Sequence, residues 1–348
     1  MARSPRVPKA AGVEAGPSEP DLLDNQRPPR EADALFGHGI EMARLAHALR
    51  TAPPQGIIIE GPRGVGKATL AFRMAKALLS GGEIADDFAF DAEGRSAGQV
   101  RAGTHPNVLH LTRPYDEKAK RFKTELGVDT VRRILPFLGT TAAGTGWRVV
   151  IVDAVDDMNP NAANALLKNL EEPPQRTLFA LVAHIAGRVL PTIRSRCRTV
   201  RLKPLGTDEV TAALSYLGAD PSLADTADGS VRRALSLAAS GADAVRTAER
   251  LLAKGLTDAT SRFALADLAA QKRGEHFAVI ADLTLDALAR AARTAAASSN
   301  AAGEGYARAY LEALGERRRV EIFNLDRKEF MLALGNRLAA AASATRGA

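Results

Sequence analysis

The sequence predicts an α/β chain in two parts. The first is a parallel β-sheet with helices on both faces and a phosphate-binding loop. The second is built from helices alone. Three observations predict this. Short apolar runs alternate with helically spaced segments as far as about residue 204, the pattern of successive βα units. A glycine-rich turn ending in lysine, Gly61-x4-Gly66-Lys67, joins one of those runs to a helix. Beyond Pro204 the strand-like runs stop, and alanine- and leucine-rich segments with helical spacing occupy 208–240 and 246–342.

Residues 1–20 carry Arg3, Arg6, Lys9 and four prolines with little hydrophobicity. A disordered tail is expected there, and the lack of an apolar core argues against a secretory signal. Helical spacing begins near Glu41, with Met42, Leu45, Ala46 and Leu49 on one face. Ile57 to Ile59 reads as a buried strand, followed by the glycine turn and a helix from Lys67 to about Leu79. Residues 81–105 are rich in Gly, Asp and Ser and read as irregular. Val108 to Leu111 is a short strand, and the charged stretch 113–124 a solvated loop. Val128 to Leu138 has the spacing of one helix, with Asp129 favourably placed near its N-terminus. Trp147 to Asp153 is a continuous apolar run ending in a carboxylate, as expected for a strand buried on both faces. A helix from about Pro160 to Glu172 is stopped by Pro173-Pro174. Leu178 to Ala183 is another buried strand, and Val200 to Leu202 is expected to close the sheet. Gly229, Gly241 and Gly255 punctuate the helical region, which shows no fixed-period repeat.

Composition narrows the class. With 348 residues, two or three domains are expected. Aromatics make up only 5%, which favours helices over a β-sandwich. The net charge of +7 permits a polyanionic partner such as nucleic acid, but an arginine-preferring genome gives the same balance with no binding role. Cys197 is the one cysteine, so intrachain disulfides and multi-cysteine zinc sites are excluded, and a lone thiol fits a reducing cytoplasm. No run of 18 apolar residues occurs, so no membrane partner is expected.

The chemistry concentrates at the loop. Gly61, Gly64 and Gly66 let the backbone fold tightly, so its N–H groups point at phosphate oxygens, and Lys67 adds a positive charge at the β/γ-phosphates. The next residue should be Ser or Thr to hold Mg²⁺, and it is Ala68. Thr69 is one position too far, turned away by about 100° of helix. Asp153 ends its strand where a carboxylate would hold Mg²⁺ beside the loop. The following position, where hydrolytic members of the class carry Glu, is Ala154, and Asp156 and Asp157 lie in a turn unsuited to replace it. A nucleotide site with a weakened metal position and no base is the expectation. Between Pro173 and Thr207 there are seven Lys or Arg and no Asp or Glu, including Arg194, Arg196 and Arg198. These read as a solvated basic edge or as guanidinium groups offered to phosphate in a neighbouring subunit. Cys197 reads as a packed thiol, since no His–Asn arrangement accompanies it. His184, at a strand end, is the histidine most worth watching. Arg232 and Arg233 open a helix and could reach a nucleotide or water.

Three segments carry a family resemblance: Gly61-Pro-Arg-Gly-Val-Gly-Lys67, Asn164-Ala-Leu-Leu-Lys-Asn-Leu-Glu-Glu-Pro173 and Thr192-Ile-Arg-Ser-Arg-Cys197. In that order they resemble a bacterial sliding-clamp loader subunit of the AAA+ class. The chain lacks the Ser/Thr, the Asp-Glu pair and the cysteine zinc module of the motor subunits, and is most similar to the delta prime family. Leu35-Phe-Gly-His38 and Asn324-Leu-Asp-Arg-Lys328 resemble its alphaproteobacterial members. The resemblance is firm over about 35–240 and looser to about 340. It implies an AAA+ nucleotide-binding domain at 21–204, a small helical lid at 205–243 and a helical collar at 244–348 that joins five subunits in a ring. It implies that Arg196 is an arginine finger acting in trans, that Arg232 is the second sensor position, and that His184 stands where motor subunits carry a sensor threonine. It further implies a reduced loop at 85–110 and no zinc. ATP or ADP is the implied nucleotide. The implied partners are tau/gamma and delta subunits, the β clamp through the assembly, and primed DNA without sequence preference. Little or no ATPase activity is expected of the chain alone. The alternative is a self-sufficient AAA+ ATPase, and a third reading is a scaffold that no longer binds nucleotide.

Overall fold

The structure, a computed structural model, describes residues 19–20, 22, 26–139, 146–239, 242–274, 276–298, 300–323 and 325–346. The tail expected at 1–20 lies almost wholly outside the described residues, as do Gly241 and Asn324. The chain divides into two compact units, one ending at Leu205 and the other beginning at Gly206.

The first unit runs α1 (Gly39–Thr51), β1 (Gly56–Glu60), α2 (Lys67–Ser80), α3 (Arg95–Arg101), β2 (Val108–Thr112), β3 (Tyr115–Asp116), β4 (Arg121–Phe122), α4 (Val128–Arg132), α5 (Ile134–Gly139), β5 (Arg148–Asp153), α6 (Pro160–Glu171), β6 (Thr177–Ala183), α7 (Pro191–Arg194) and β7 (Cys197–Arg201). Five strands form one parallel sheet in the order β2-β5-β6-β1-β7. The side-chain period of two splits each central strand between two cores. Ile57 and Ile59 of β1, Val149 and Ile151 of β5, and Ala180 and Val182 of β6 pack with α1 and α2. Ile58, Val150, Val152, Phe179 and Leu181 pack on the other face, with α4 and α6. Both faces are therefore apolar, which is why these strands read as unbroken hydrophobic runs. Ile57, Ile58 and Ile59 are fully buried, and burying each such side chain contributes about 1.5–3 kcal/mol. The edge strand β7 differs, with Arg198, Thr199 and Arg201 exposed, charges that blunt an edge against further pairing.

Three expectations are corrected here. The stretch 81–105 is not wholly irregular: α3 forms because Ala97 and Val100 have a buried face to cover. The stretch 113–124 holds a small antiparallel hairpin, with Tyr115 paired to Phe122 and Asp116 to Arg121. The single helix expected at 128–138 is two, divided at Arg133. Pro136 explains the break, since its ring would meet the carbonyl four residues earlier in a continuous helix but fits the first turn of a new one.

The second unit contains α8 (Thr207–Tyr216), α9 (Val231–Ala239), α10 (Ala242–Ala253), α11 (Ala259–Gly274), α12 (Phe277–Ser298), α13 (Asn300–Phe323) and α14 (Arg327–Arg346), and no strand among the described residues. One apolar cluster runs from Leu237 through Leu338. Phe277 and Phe330 meet edge to face within it, ring centroids 5.8 Å apart.

Candidate functional site

The loop between β1 and α2 is built by backbone geometry that excludes side chains. Gly61 has φ +152°, and a Cβ there would lie 2.3 Å from the Leu202 carbonyl oxygen. Gly66, the N-cap of α2, has φ +100°, and a Cβ would lie 2.6 Å from Leu35 Cδ1. Gly64 has φ +81°. No side chain caps α2 and no acid stands in its first turn. The first N–H groups of the helix, those of Lys67, Ala68 and Thr69, have no partner four residues back and present partial positive charge. Lys67 is 4% exposed, and its ammonium donates to the carbonyls of Gly61 (2.8 Å) and Pro62 (2.5 Å). Burial lowers its pKa to about 8, with nearby Arg63 adding to the fall and Asp153 and Asp156 opposing it. Glycine turns, orphan N–H groups and a buried ammonium converge on one point, a donor set that fits phosphate oxygens.

The metal side fits less well. Ala68 has no hydroxyl, and its methyl packs against the apolar cluster. Asp153 stands at the C-terminal edge of β5, level with Val182 of β6, which in turn is level with Ile59 of β1. One strand thus separates the carboxylate from the loop strand, and Asp153 is near enough to influence Lys67. Ala154 is buried and offers no base. Asp156 accepts from the backbone N–H groups of His184 (2.8 Å) and Ile185 (3.1 Å), tying β5's exit to β6's exit. Asp157 pairs with Arg113 at 3.0 Å. Both acids of that turn hold structure.

The structure separates the arginines of the basic edge, and Arg198 is exposed on β7. Arg194 reaches Glu60 Oε2 at 3.0 Å, and Glu60 is 8% exposed at the end of β1. Arg201 also approaches Glu60, at 3.6 Å. Arg196 lies elsewhere. It precedes Cys197, which pairs with Gly56 at the start of β1, whereas the loop follows Glu60 at the strand's far end. Four residues of strand put about 13 Å between those two levels. The Arg196 side chain is 38% exposed and donates to Glu171 Oε1 (2.8 Å), at the C-terminal end of α6, and to the Thr192 carbonyl (3.1 Å). Cys197 is packed, and burial raises its thiol to about 11, which leaves no thiolate at neutral pH. Arg232 stands in the first turn of α9, in the second unit.

Sequence reasoning missed several residues. Glu60 ends an apolar strand just as Asp153 does, and nothing local marks one acid as an ion-pair partner and the other as a loop neighbour. Leu35 closes on Gly66, and His38 Nε2 donates to the Val65 carbonyl at 2.9 Å, so the segment before α1 braces the loop. The Leu35-Phe-Gly-His38 string was the available signal.

Strand order, glycine loop and the carboxylate one strand removed define a P-loop NTPase domain of the AAA+ class, followed by a helical unit. A family profile described as "DNA polymerase III, delta subunit" matches residues 39–206. Relatives named DNA polymerase III subunit delta' occur in Pseudomonas aeruginosa (40% identity over 40% of this chain and 40% of that one), Bacillus subtilis (30%, over 58% and 55%) and Escherichia coli (34%, over 42% and 42%). Over residues 39–206 the chain is similar to this family of DNA polymerase III subunits. It spans between 40% and 55% of the length of these relatives.

Proposed function

We propose that the chain is a non-motor ring subunit of the DNA polymerase III clamp loader, cytoplasmic, and that it supplies Arg196 to the nucleotide site of a neighbouring subunit. The observation that carries this reading is the mismatch between the two halves of its chemistry. Its own loop retains a phosphate cradle but lacks a metal hydroxyl at Ala68 and a base at Ala154. Its exposed guanidinium, Arg196, lies at the opposite end of β1 from that cradle. A planar, permanently charged fork on the surface suits phosphoryl oxygens across a subunit boundary. Its pair with Glu171 is exposed, so little free energy opposes exchanging the carboxylate for a phosphate.

In this reading Gly61, Gly64, Gly66, Lys67 and Thr69 cradle ATP or ADP in a structural site, with Asp153 nearby. The residues 205–243 act as a lid and 244–348 as the collar that joins tau/gamma and delta subunits. The assembly opens the β clamp and places it on primed DNA, with contacts to phosphates rather than bases. The test is reconstitution of the loader with Arg196→Ala. DNA-stimulated ATP hydrolysis should fall while assembly persists. Mg²⁺-dependent turnover by the purified chain alone would instead favour a self-sufficient ATPase.

A further inference from the structure

We propose that the β3–β4 hairpin, residues 113–123, is a nucleic-acid phosphate contact. The choice of nucleic acid among polyanions rests on the replication reading above, while the hairpin's cationic character rests on geometry alone.

The hairpin rises from the edge of the sheet that also bears the phosphate loop, directly after β2. Its root is fixed. Arg113 Nε pairs with Asp157 at 3.0 Å, both side chains mostly buried, and the Lys123 N–H donates to the Pro114 carbonyl at 2.8 Å. Just beyond, the Leu126 N–H donates to the Asp157 carbonyl at 2.8 Å. Tyr115 and Phe122 meet edge to face across the two strands, centroids 5.2 Å apart. Isolated two-stranded ribbons are marginal in water, so the anchored root and the aromatic pair are what give this one a shape.

The tip, residues 117–121, is exposed. Asp116 Oδ1 accepts from the N–H groups of Lys118 and Ala119, both at 3.0 Å, which sets the turn. Those backbone bonds, with nearby Lys123 and Arg121 as smaller influences, hold its carboxyl below the usual range. One oxygen of the acid opposite the cations is therefore engaged by backbone N–H groups. Lys118, Lys120, Arg121 and Lys123 make no ion pair among the described residues. Four cations stand against Asp116 and Glu117 on a short, ordered projection. Lys118 and Lys120 lie in the turn between the strands and Arg121 opens β4, with Lys123 just after it, so the cations cluster on one short ribbon that can face a backbone carrying a charge every ~3.4 Å per strand. Such contacts would carry no sequence information, because they touch phosphate and not base edges.

The test uses the full chain and a fluorescently labelled primed-template DNA, titrated between about 50 and about 200 mM salt. The variant Lys118→Ala/Lys120→Ala/Arg121→Ala/Lys123→Ala is compared with Arg246→Ala/Arg250→Ala/Lys254→Ala/Arg308→Ala, which removes the same charge from exposed positions of the second unit. The hairpin variant should bind at least about tenfold more weakly, with a salt slope shallower by about 3, while the control keeps the wild-type slope. Absent binding by the wild type, an unchanged slope in the hairpin variant, or an equal loss in the control overturns the proposal. So does hairpin-dependent binding of poly-glutamate tighter than that of DNA, which would make the hairpin a protein contact. The replication reading is judged separately, by assembly with loader subunits and by the Arg196→Ala ATPase. If those hold and the DNA slope does not change, the hairpin proposal alone fails.

Discussion

Lys67 is a nearly fully buried ammonium held against two carbonyls, and its chemistry should be visible as pH dependence. Its folded pKa, about 8, lies below the unfolded value near 10.5. Below pH 8 both states hold the proton, and the fold carries the cost of burying the charge. Between pH 8 and about 10.5 the unfolded state binds more protons, so stability rises with pH in that window. The shift corresponds to about 3 kcal/mol. Urea unfolding at pH 7 and pH 10 should show wild type gaining relative to Lys67→Met, and equal pH dependence in the two would contradict this account. Arg194 and Arg196 offer a second contrast. Arg194→Ala removes the nearer ion-pair partner of a nearly buried carboxylate, Glu60, and should cost about 1–3 kcal/mol. Arg196→Ala removes an exposed pair with Glu171 and should cost no more than about 1 kcal/mol. Thermal melts of both variants decide it: an Arg196→Ala loss as large as that of Arg194→Ala would mark Arg196 as a structural residue. Two neighbouring arginines of identical type thus have different work, and only the register of β7 against β1 reveals which is which.

Among the elements, the segment ahead of α1 and the helix α2 are joined by buried charge. Lys76 is fully buried on α2, donates to Asp33 Oδ1 and the Ala32 carbonyl, each at 2.8 Å, and lies 5.0 Å from the Phe90 ring centre. Burial lowers its pKa, and Asp33 opposes that fall. Arg101 of α3 bonds both oxygens of Asp33. Asp33→Ala should therefore cost about 3 kcal/mol by stranding the ammonium. Adding Lys76→Met should restore at least half of that, measured by denaturant unfolding; no restoration would mean the loss arises elsewhere. The central strands and the helix after the loop were legible because both faces of the sheet are covered, so apolar runs and glycine punctuation suffice. The hairpin and α3 were not. Their residues are polar, and what orders them is an Asx turn at Asp116, an aromatic pair, and two small buried side chains, none of which has a period. The loop itself was read from spacing alone. Its brace by Leu35 and His38 was not, because the bracing residues are remote in sequence.

For the whole molecule, the division of labour makes a prediction of its own. The purified chain should bind a labelled ATP analogue in a Lys67-dependent way and yet show no Mg²⁺-dependent turnover, because Ala68 and Ala154 leave the bound phosphates without metal hydroxyl or base. Binding lost in Lys67→Ala, beside turnover indistinguishable from buffer, is the expected pair of results. Among the described residues no helix is long and apolar enough to cross a membrane. Assembly brings the most direct measurement within reach. ATP hydrolysis by the reconstituted clamp loader, stimulated by clamp and primed DNA, is compared for wild type, Arg196→Lys and Arg196→Ala. An arginine finger contributes roughly 10³–10⁵ at the site it serves, so both variants should lower kcat at least about tenfold, with the ring intact by size-exclusion chromatography and nucleotide affinity little changed. Wild-type hydrolysis in an intact ring carrying Arg196→Ala would contradict the account.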